Sequence, residues 1–189
     1  MNEDLLIKGC QRGRRKDFEE LIGRYYYPLL KFFSKYDVNK QTCEDLTHDT
    51  ILKMIENIEK YKVVGNAKFS TWLFTIAYNT LLNYVSKISN KNGEESLTEI
   101  ESVIPSGRST EDEALRNIDS NDVKLKVDSL SIEDKALINL RYIHGFGYKD
   151  ISQVMNMPEK AVKWKLHDAL ERLRKLFIKE ARADELSEV

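Results

Sequence analysis

At 189 residues, 41% hydrophobic and 32% charged, the chain has the profile of one medium globular domain or two small ones, not of a disordered or fibrous polymer. No apolar run approaches the roughly 20 residues that a membrane span needs. The formal net charge of -1 argues against a protein that coats nucleic acid indiscriminately, although whole-chain charge hides segregation.

The opening "MNEDLLIKGCQRGRRKDF" is too charged for a signal peptide, so a cytoplasmic chain with no membrane contact of its own is expected. Cys10 and Cys43 are too few for a disulfide framework and lack metal-ligand spacing. Two reduced thiols, no metal and no cofactor are expected. Leu5, Leu6 and Ile7, then Phe18, Leu21, Ile22 and Tyr25, fit helical spacing, as do Leu29, Leu30 and Phe33 after Pro28. "CEDLTHDTILKMIENIEKY" predicts another helix, opened by a capping box with Thr42 as N-cap and Asp45 in place of the usual Glu. Its polar face carries Glu44, Asp45, His48, Asp49, Lys53 and Glu56.

Residues 68–91, "KFSTWLFTIAYNTLLNYVSKISNK", read as one long helix that is apolar almost all round. At about 100° per residue, Phe69, Leu73, Ile76, Thr80 and Tyr84 share a face. Trp72, Thr75, Asn79, Asn83 and Ser86 form an adjoining stripe. Asparagine competes for backbone hydrogen bonds and is a mediocre helix former, so two of them one turn apart need a reason. Beside Trp72 their amides suit a base taken out of a duplex, which stacks and hydrogen-bonds there. The plainer alternative is that both face solvent or satisfy a nearby loop.

An acidic run follows. Residues 94–122 hold nine acids and two bases; setting these aside from totals of 31 and 30 leaves 22 acids against 28 bases in the flanking blocks. Each block is therefore expected to carry a modest positive surface. Asn, Gly, Ser and the Pro105-Ser106-Gly107 breaker mark a linker. The expected organisation is a first block over 1–91, a linker over 92–112, a second block over 113–180 and a tail over 181–189. Strand signals are absent, so the fold class is all-α, two small helical domains joined by a flexible acidic tether.

In the second block, Tyr148 to Met155 predicts a short helix. Asn156 falls where a left-handed turn residue belongs, and Pro158 with Glu159 suits the start of the next helix. Ile151, Met155, Met157, Val162 and Leu166 are spaced as the buried contacts of a helix-turn-helix. The second helix then presents Lys160, Lys163, Trp164, Lys165 and His167 outward, as a recognition helix does toward phosphates and base edges. An ordinary helical hairpin with a solvated lysine face is the alternative.

Taken together, these segments resemble a group IV (extracytoplasmic-function) RNA polymerase sigma factor of the sigma-70 family, over about Asp4 to Phe177. Asp45-Leu46-Thr47-His48-Asp49 is similar to the family's Asp-Leu, variable residue, Gln, acid. "FSTWLFTIAYN" is similar to Phe-x-x-Trp-Leu-x-x-Ile-Ala-x-Asn, and "LRYIHGFGYKDISQVMNMPEKAVKWKLHDALERLR" to its helix-turn-helix region. The resemblance implies a factor that binds core RNA polymerase, at the largest subunit's coiled coil and at the flap. It also implies promoter DNA as partner, read as duplex at the minus-thirty-five element and melted at the minus-ten element. By resemblance, Tyr61, Lys68, Phe69, Trp72, Asn79, Asn83 and Lys87 serve the minus-ten strand. Arg141, Lys160, Lys163, Trp164, Lys165 and His167 serve the upstream duplex. Asp45, His48, Asp49, Leu52 and Lys53 face the polymerase. An anti-sigma partner is implied as well. His48 in place of glutamine, Ser86 in place of arginine, Ala161 in place of threonine and Trp164 in place of a small residue depart from the pattern. Trp164 either meets thymine methyls or packs on a neighbouring helix.

Three other readings compete: a sigma-like decoy that binds a regulator without supporting transcription, a one-component repressor, and an enzyme. The basic recognition helix with Trp72 and Asn79 disfavours the first, the lack of a ligand pocket or dimer helix the second. His48, His144 and His167 are scattered with no nucleophile or metal motif around them, which disfavours the third.

Overall fold

Asn2 accepts a hydrogen bond from the Asp4 backbone N–H at 3.1 Å and starts α1, Glu3–Gln11, whose first turn carries Glu3 and Asp4 against the positive helix end. Gly13, at φ 73°, ends it in the left-handed conformation that glycine adopts without strain. A computed structural model supplies these positions and describes residues 2–36, 38–62, 68–91 and 130–187, excepting the side chains of Lys91 and 176–187. The expected linker over 92–112 lies outside the described residues, as does the start of the second block.

Helix α2, Arg15–Phe33, runs straight through Pro28, which the sequence reading placed ahead of a new helical segment. An interior proline forfeits one backbone hydrogen bond. Leu21 on one side of it and Leu29, Phe32 and Phe33 on the other are buried, which holds the helix together across the gap. Where α1 and α2 meet, a Cβ on Gly9 would collide with the Asp17 carboxylate as it is placed, so glycine leaves that side chain its room.

Helix α3, Lys40–Asn57, begins three residues ahead of the predicted capping box. Asn39, not Thr42, is the N-cap: its Oδ1 accepts from the Thr42 N–H at 2.7 Å. Asp45 instead accepts from Gln41 Nε2 at 3.1 Å on the helix surface. The buried Thr47 and Thr50 hydroxyls donate to Cys43 and Leu46 carbonyls at 2.8 Å each, so they enter the core satisfied. A 3₁₀ turn, Ile58–Lys60, closes the helix, and Gln11 Nε2 donates to the Ile58 and Tyr61 carbonyls at 3.0 and 2.8 Å. Helix α4, Phe69–Lys91, completes the first block. Leu73, Phe74, Ala77 and Leu81 are buried, α4 packs along α3, and Phe69 meets Tyr25 of α2. Cys10 and Cys43 are buried free thiols, and burial pushes Cys10 up to about 11.

In the second block, Ser131 caps α5, Ile132–Ile138, which widens into a π turn over Asn139–Ile143. Helix α6, Tyr148–Val154, follows. Asn156 takes the left-handed conformation at φ 50°, as its position in the sequence predicts. Pro158 accepts the first backbone bonds of α7, Glu159–Ser187, from Ala161 and Val162. The helix continues past residue 180, where a separate tail was expected, into a run rich in Ala, Glu and Leu that favours it. Ile151, Val154, Met155, Val162 and Leu166 are buried between α6 and α7, the helix-turn-helix core that the spacing predicts, with Met157 packed at its edge. Asp134, almost fully buried on α5, pairs with Arg172 of α7 at 2.8 Å.

The two blocks are docked. Asn139 Nδ2 donates to the Phe32 carbonyl at 3.0 Å, across 107 residues of chain. His144 lies against Phe74 and Phe32 at ring distances of 4.8 and 6.0 Å, and Phe146 against Phe74 at 5.1 Å. Such ring pairs contribute roughly 0.5–1.5 kcal/mol each beyond the area they bury. One hydrophobic core therefore runs through both blocks.

Candidate nucleic-acid interface

Exposure along α4 grades smoothly. Phe69, Leu73 and Thr80 are buried, Ile76 and Tyr84 partly so; in the adjoining stripe Trp72 and Thr75 are half-buried, while Asn79 and Asn83 are exposed. Trp72 is held rather than loose. Its ring sits 5.0 Å from Tyr61 and 5.3 Å from Phe69, and Tyr61 meets Phe69 edge-on at 5.2 Å. Tyr61 and Phe69, expected in the strand-binding set, are buried and brace the indole from beneath. Burial, then the charges of Glu3 and Asp4, raise the Tyr61 phenol above its usual range, so it stays protonated. Beside Trp72 opens a cavity of about 410 Å³, lined by Lys60, Tyr61, Lys62, Thr71, Trp72, Thr75 and, from α6, Gln153. Lys60, Lys62 and Lys87 are exposed. Lys68 is exposed and pairs with Asp150 of α6 at 3.5 Å, and Thr71 donates to the same carboxylate at 3.2 Å.

On α7, Lys160, Lys163, Trp164 and His167 are exposed. Trp164 is 67% exposed, so it is not packed away against a neighbouring helix of the described chain. Lys163 pairs with Glu159 one turn back at 2.9 Å and lies over the Tyr148 ring at 5.3 Å. The hydrogen bond to Glu159, then its charge, raise the Lys163 ammonium. Two further members of the expected duplex-reading set are engaged within the block. Lys165 pairs with Glu133 of α5 at 2.6 Å. Arg141 donates to the Phe146 carbonyl at 3.0 Å and lies over Tyr148 at 4.7 Å.

A third surface lies on α3. Asp45, His48, Asp49 and Leu52 are exposed, Leu52 by 56%. Lys53 turns inward, donating to Thr80 Oγ1 of α4 at 2.9 Å. His48 touches the ring of Tyr26 on α2 at 5.8 Å, and the neighbouring Tyr27 is 76% exposed. Tyr27 was missed in the sequence reading. The signal was present, since three consecutive tyrosines span about 200° of a helix and cannot all face one core.

No helix among the described residues is long and apolar enough to cross a membrane. The Sigma-70 region 2 family model matches residues 21–90, and the Sigma-70 region 4 model matches 120–173. The ECF RNA polymerase sigma factor SigW of Bacillus subtilis is 26% identical over 89% of this chain and 93% of its own length. The ECF RNA polymerase sigma-E factor of Haemophilus influenzae is 25% identical over 90% and 93%. Among solved structures, RpoE of Bartonella quintana, in complex with the anti-sigma factor NepR, shares the fold at TM-score 0.69 and 22% identity, covering 86% of this chain and 97% of that one. CnrH, in complex with the cytosolic domain of CnrY, shares it at 0.65 and 17%, covering 94% and 99%. With its all-helical fold, its helix-turn-helix and both family regions in order along one chain, the protein belongs to the extracytoplasmic-function group of the sigma-70 family, factors that direct RNA polymerase to promoters.

Proposed function

We propose that the three surfaces divide the work of initiation residue by residue. The stripe of Trp72, Thr75, Asn79 and Asn83 takes one base of the minus-ten non-template strand. Trp72 stacks, the cavity receives the base, the amides select it, and Lys60, Lys62 and Lys87 steer the backbone. The observation that carries this is the cavity itself, whose 410 Å³ falls in the range that admits a small planar ligand and whose wall is the braced indole. Unstacking a base costs a few kcal/mol, and an aromatic stack returns about 1–3 kcal/mol. The amide contacts supply the rest, so the strand is held open by its greater affinity, without ATP.

Lys160, Lys163, Trp164 and His167 read the minus-thirty-five duplex, with Arg141 and Lys165 fixing the frame that presents them. The acid-led face of α3 with Leu52, extended by Tyr27 of α2, docks on a basic surface of the polymerase. By likeness to the Bartonella quintana protein, an anti-sigma regulator is a further partner. Run-off transcription with purified core polymerase on a promoter library tests the assignment. The wild type is expected to give discrete transcripts, and a double charge reversal at Asp45 and Asp49 none, for want of holoenzyme. Asn79→Ala is expected to slow promoter opening while leaving duplex binding intact; equal losses in both would refute the division.

A further inference from the structure

Helix α1 supplies none of the residues assigned to the three surfaces, yet its last residue reaches the seat of Trp72. Gln11 is half-buried, and its Nε2 donates to the Ile58 carbonyl at 3.0 Å and to the Tyr61 carbonyl at 2.8 Å, across 47 and 50 residues of chain. Two main-chain carbonyls call for two N–H donors, and the carboxamide NH2 offers both from one atom. The Ile58 carbonyl also accepts from the Tyr61 backbone N–H at 3.1 Å. Tyr61 is therefore pinned on both sides, through its N–H to Ile58 and through its carbonyl to Gln11.

The pinned peptide sits in the wall of the cavity. Tyr61 stands just past the 3₁₀ turn with extended backbone, φ -64° and ψ 121°, where no helical repeat brings a donor to its carbonyl. Lys60 and Lys62 flank it, and all three line the cavity beside Trp72. The Tyr61 ring lies 5.0 Å from the indole and 5.2 Å from Phe69. The first residue of α1 holds the other half of this seat. Tyr25 donates its hydroxyl to Glu3 Oε1 at 2.6 Å and meets Phe69 edge-on at 5.4 Å. Trp72 thus rests on two rings, and each is tied back to one end of α1.

We propose that Gln11 is a positioning residue for strand capture: it fixes the Tyr61 peptide and, through the Tyr61 ring, the angle at which Trp72 meets an unpaired base. The inference rests on the assignment of the α4 stripe to the unpaired strand. A chain without these two hydrogen bonds keeps the indole, the amides and the lysines, yet binds single strands less well. A bond that only anchored α1 would lower the unfolding temperature and leave the strand affinity of the folded chain alone.

Gln11→Met tests this, since it keeps an unbranched side chain of similar length and removes both N–H donors. Gln11→Glu, which has the same shape and no donor when ionised, replaces it if circular dichroism shows the Met variant unfolded. The chain has two tryptophans, so Trp164→Phe leaves Trp72 as the only source of indole emission. In that background Gln11→Met is expected to shift the emission to the red and to raise its quenching by acrylamide. In the full-length chain with Trp164 intact, a fluorescein-labelled pool of random single strands about 12 nucleotides long is expected to bind Gln11→Met about fivefold more weakly, a part of what the stack contributes. Combined with Trp72→Ala, Gln11→Met is expected to add no further loss, because its effect passes through the indole. A folded Gln11→Met variant with wild-type strand affinity overturns the proposal. So does a loss of the same size with and without Trp72, which would make Gln11 act by another route. Trp72→Ala alone reports on the underlying assignment: wild-type strand affinity in that variant refutes the role of the α4 stripe itself.

Discussion

The two surfaces proposed to meet nucleic acid, on α4 and on α7, are built on opposite plans. On α4 the aromatic residue is recessed, braced by Tyr61 and Phe69, and followed by uncharged amides beside a cavity. On α7 the aromatic residue stands out in solvent among cations. A recessed ring with amides suits one base brought out of its helix, whose faces and edges are all free. A projecting ring among lysines suits a groove, where only base edges and phosphates are within reach. On the proposed assignment the two indoles, Trp72 and Trp164, serve different recognition problems, and replacing each in turn separates them.

The largest effect is expected at Trp72. Trp72→Ala removes the stacking surface, worth about 1–3 kcal/mol, and therefore costs roughly ten- to a hundredfold in single-strand affinity. It also loosens the Tyr61–Phe69 cluster, so thermal unfolding must be followed alongside. Trp72→Phe keeps the packing and part of the stack, and its strand affinity is expected to fall between the two. If Trp72→Phe and Trp72→Ala bind the strand as tightly as the wild type, the recessed ring has no part in recognition.

A smaller, different effect is expected at Trp164. Because it is exposed and packs on nothing in the described chain, Trp164→Ala should change stability by no more than about 0.5 kcal/mol. Its loss should lower discrimination between cognate and mismatched upstream elements by about fivefold, at the low end, about 1 kcal/mol, of a good base contact. The dependence of binding on salt should not change, since no charge is removed. Lys163→Ala is its complement: weaker binding to all sequences alike, with the salt slope reduced by about one. Equal losses on cognate and mismatched duplexes for Trp164→Ala would make the indole a backbone contact and erase the contrast between the faces.

How far the sequence alone carried this reading depended on the range of the interaction. The helix-turn-helix was legible because Asn156, Pro158 and five apolar residues lie within sixteen positions, and local sterics fix that turn. The exposure gradient on α4 followed from helical period alone. The start of α3 was misread because Asn39 and Thr42 both cap well, and the choice fell to Asn39, whose carboxamide reaches the Thr42 amide. The roles of Arg141, Lys165 and Lys53 were hidden because a surface cation and a cation paired with Glu133 or Thr80 look alike in sequence. Least legible was the docking of the blocks. Asn139, His144 and Phe146 carry no periodic signal that assigns them to a neighbour more than 60 residues away.

The smallest expected effect uses that docking to alter one face and spare the other. His144 is half-buried against Phe32 and Phe74, and its Nε2 has no hydrogen-bond partner among the described residues. Burial, then the charge of Lys31 on α2, lower its pKa to about 4; the rings that touch it from α2 and α4 carry no charge to replace the hydration the imidazolium loses. Once the blocks part, the ring returns to water and an ordinary value near 6.5. The docked state thus binds fewer protons than the parted one. Its advantage is complete above the parted-state pKa and drains away as pH falls from there toward 4. Between pH 7.5 and 6.0 the ratio of docked to parted chain should fall about fourfold. The radius of gyration of the free factor in small-angle scattering should rise accordingly, whereas the α7 face, already exposed when docked, gains nothing by the change. His144→Phe keeps an aromatic ring in the contact and removes the proton site, so it should flatten that pH profile. A profile that keeps its slope in His144→Phe would place the titration elsewhere.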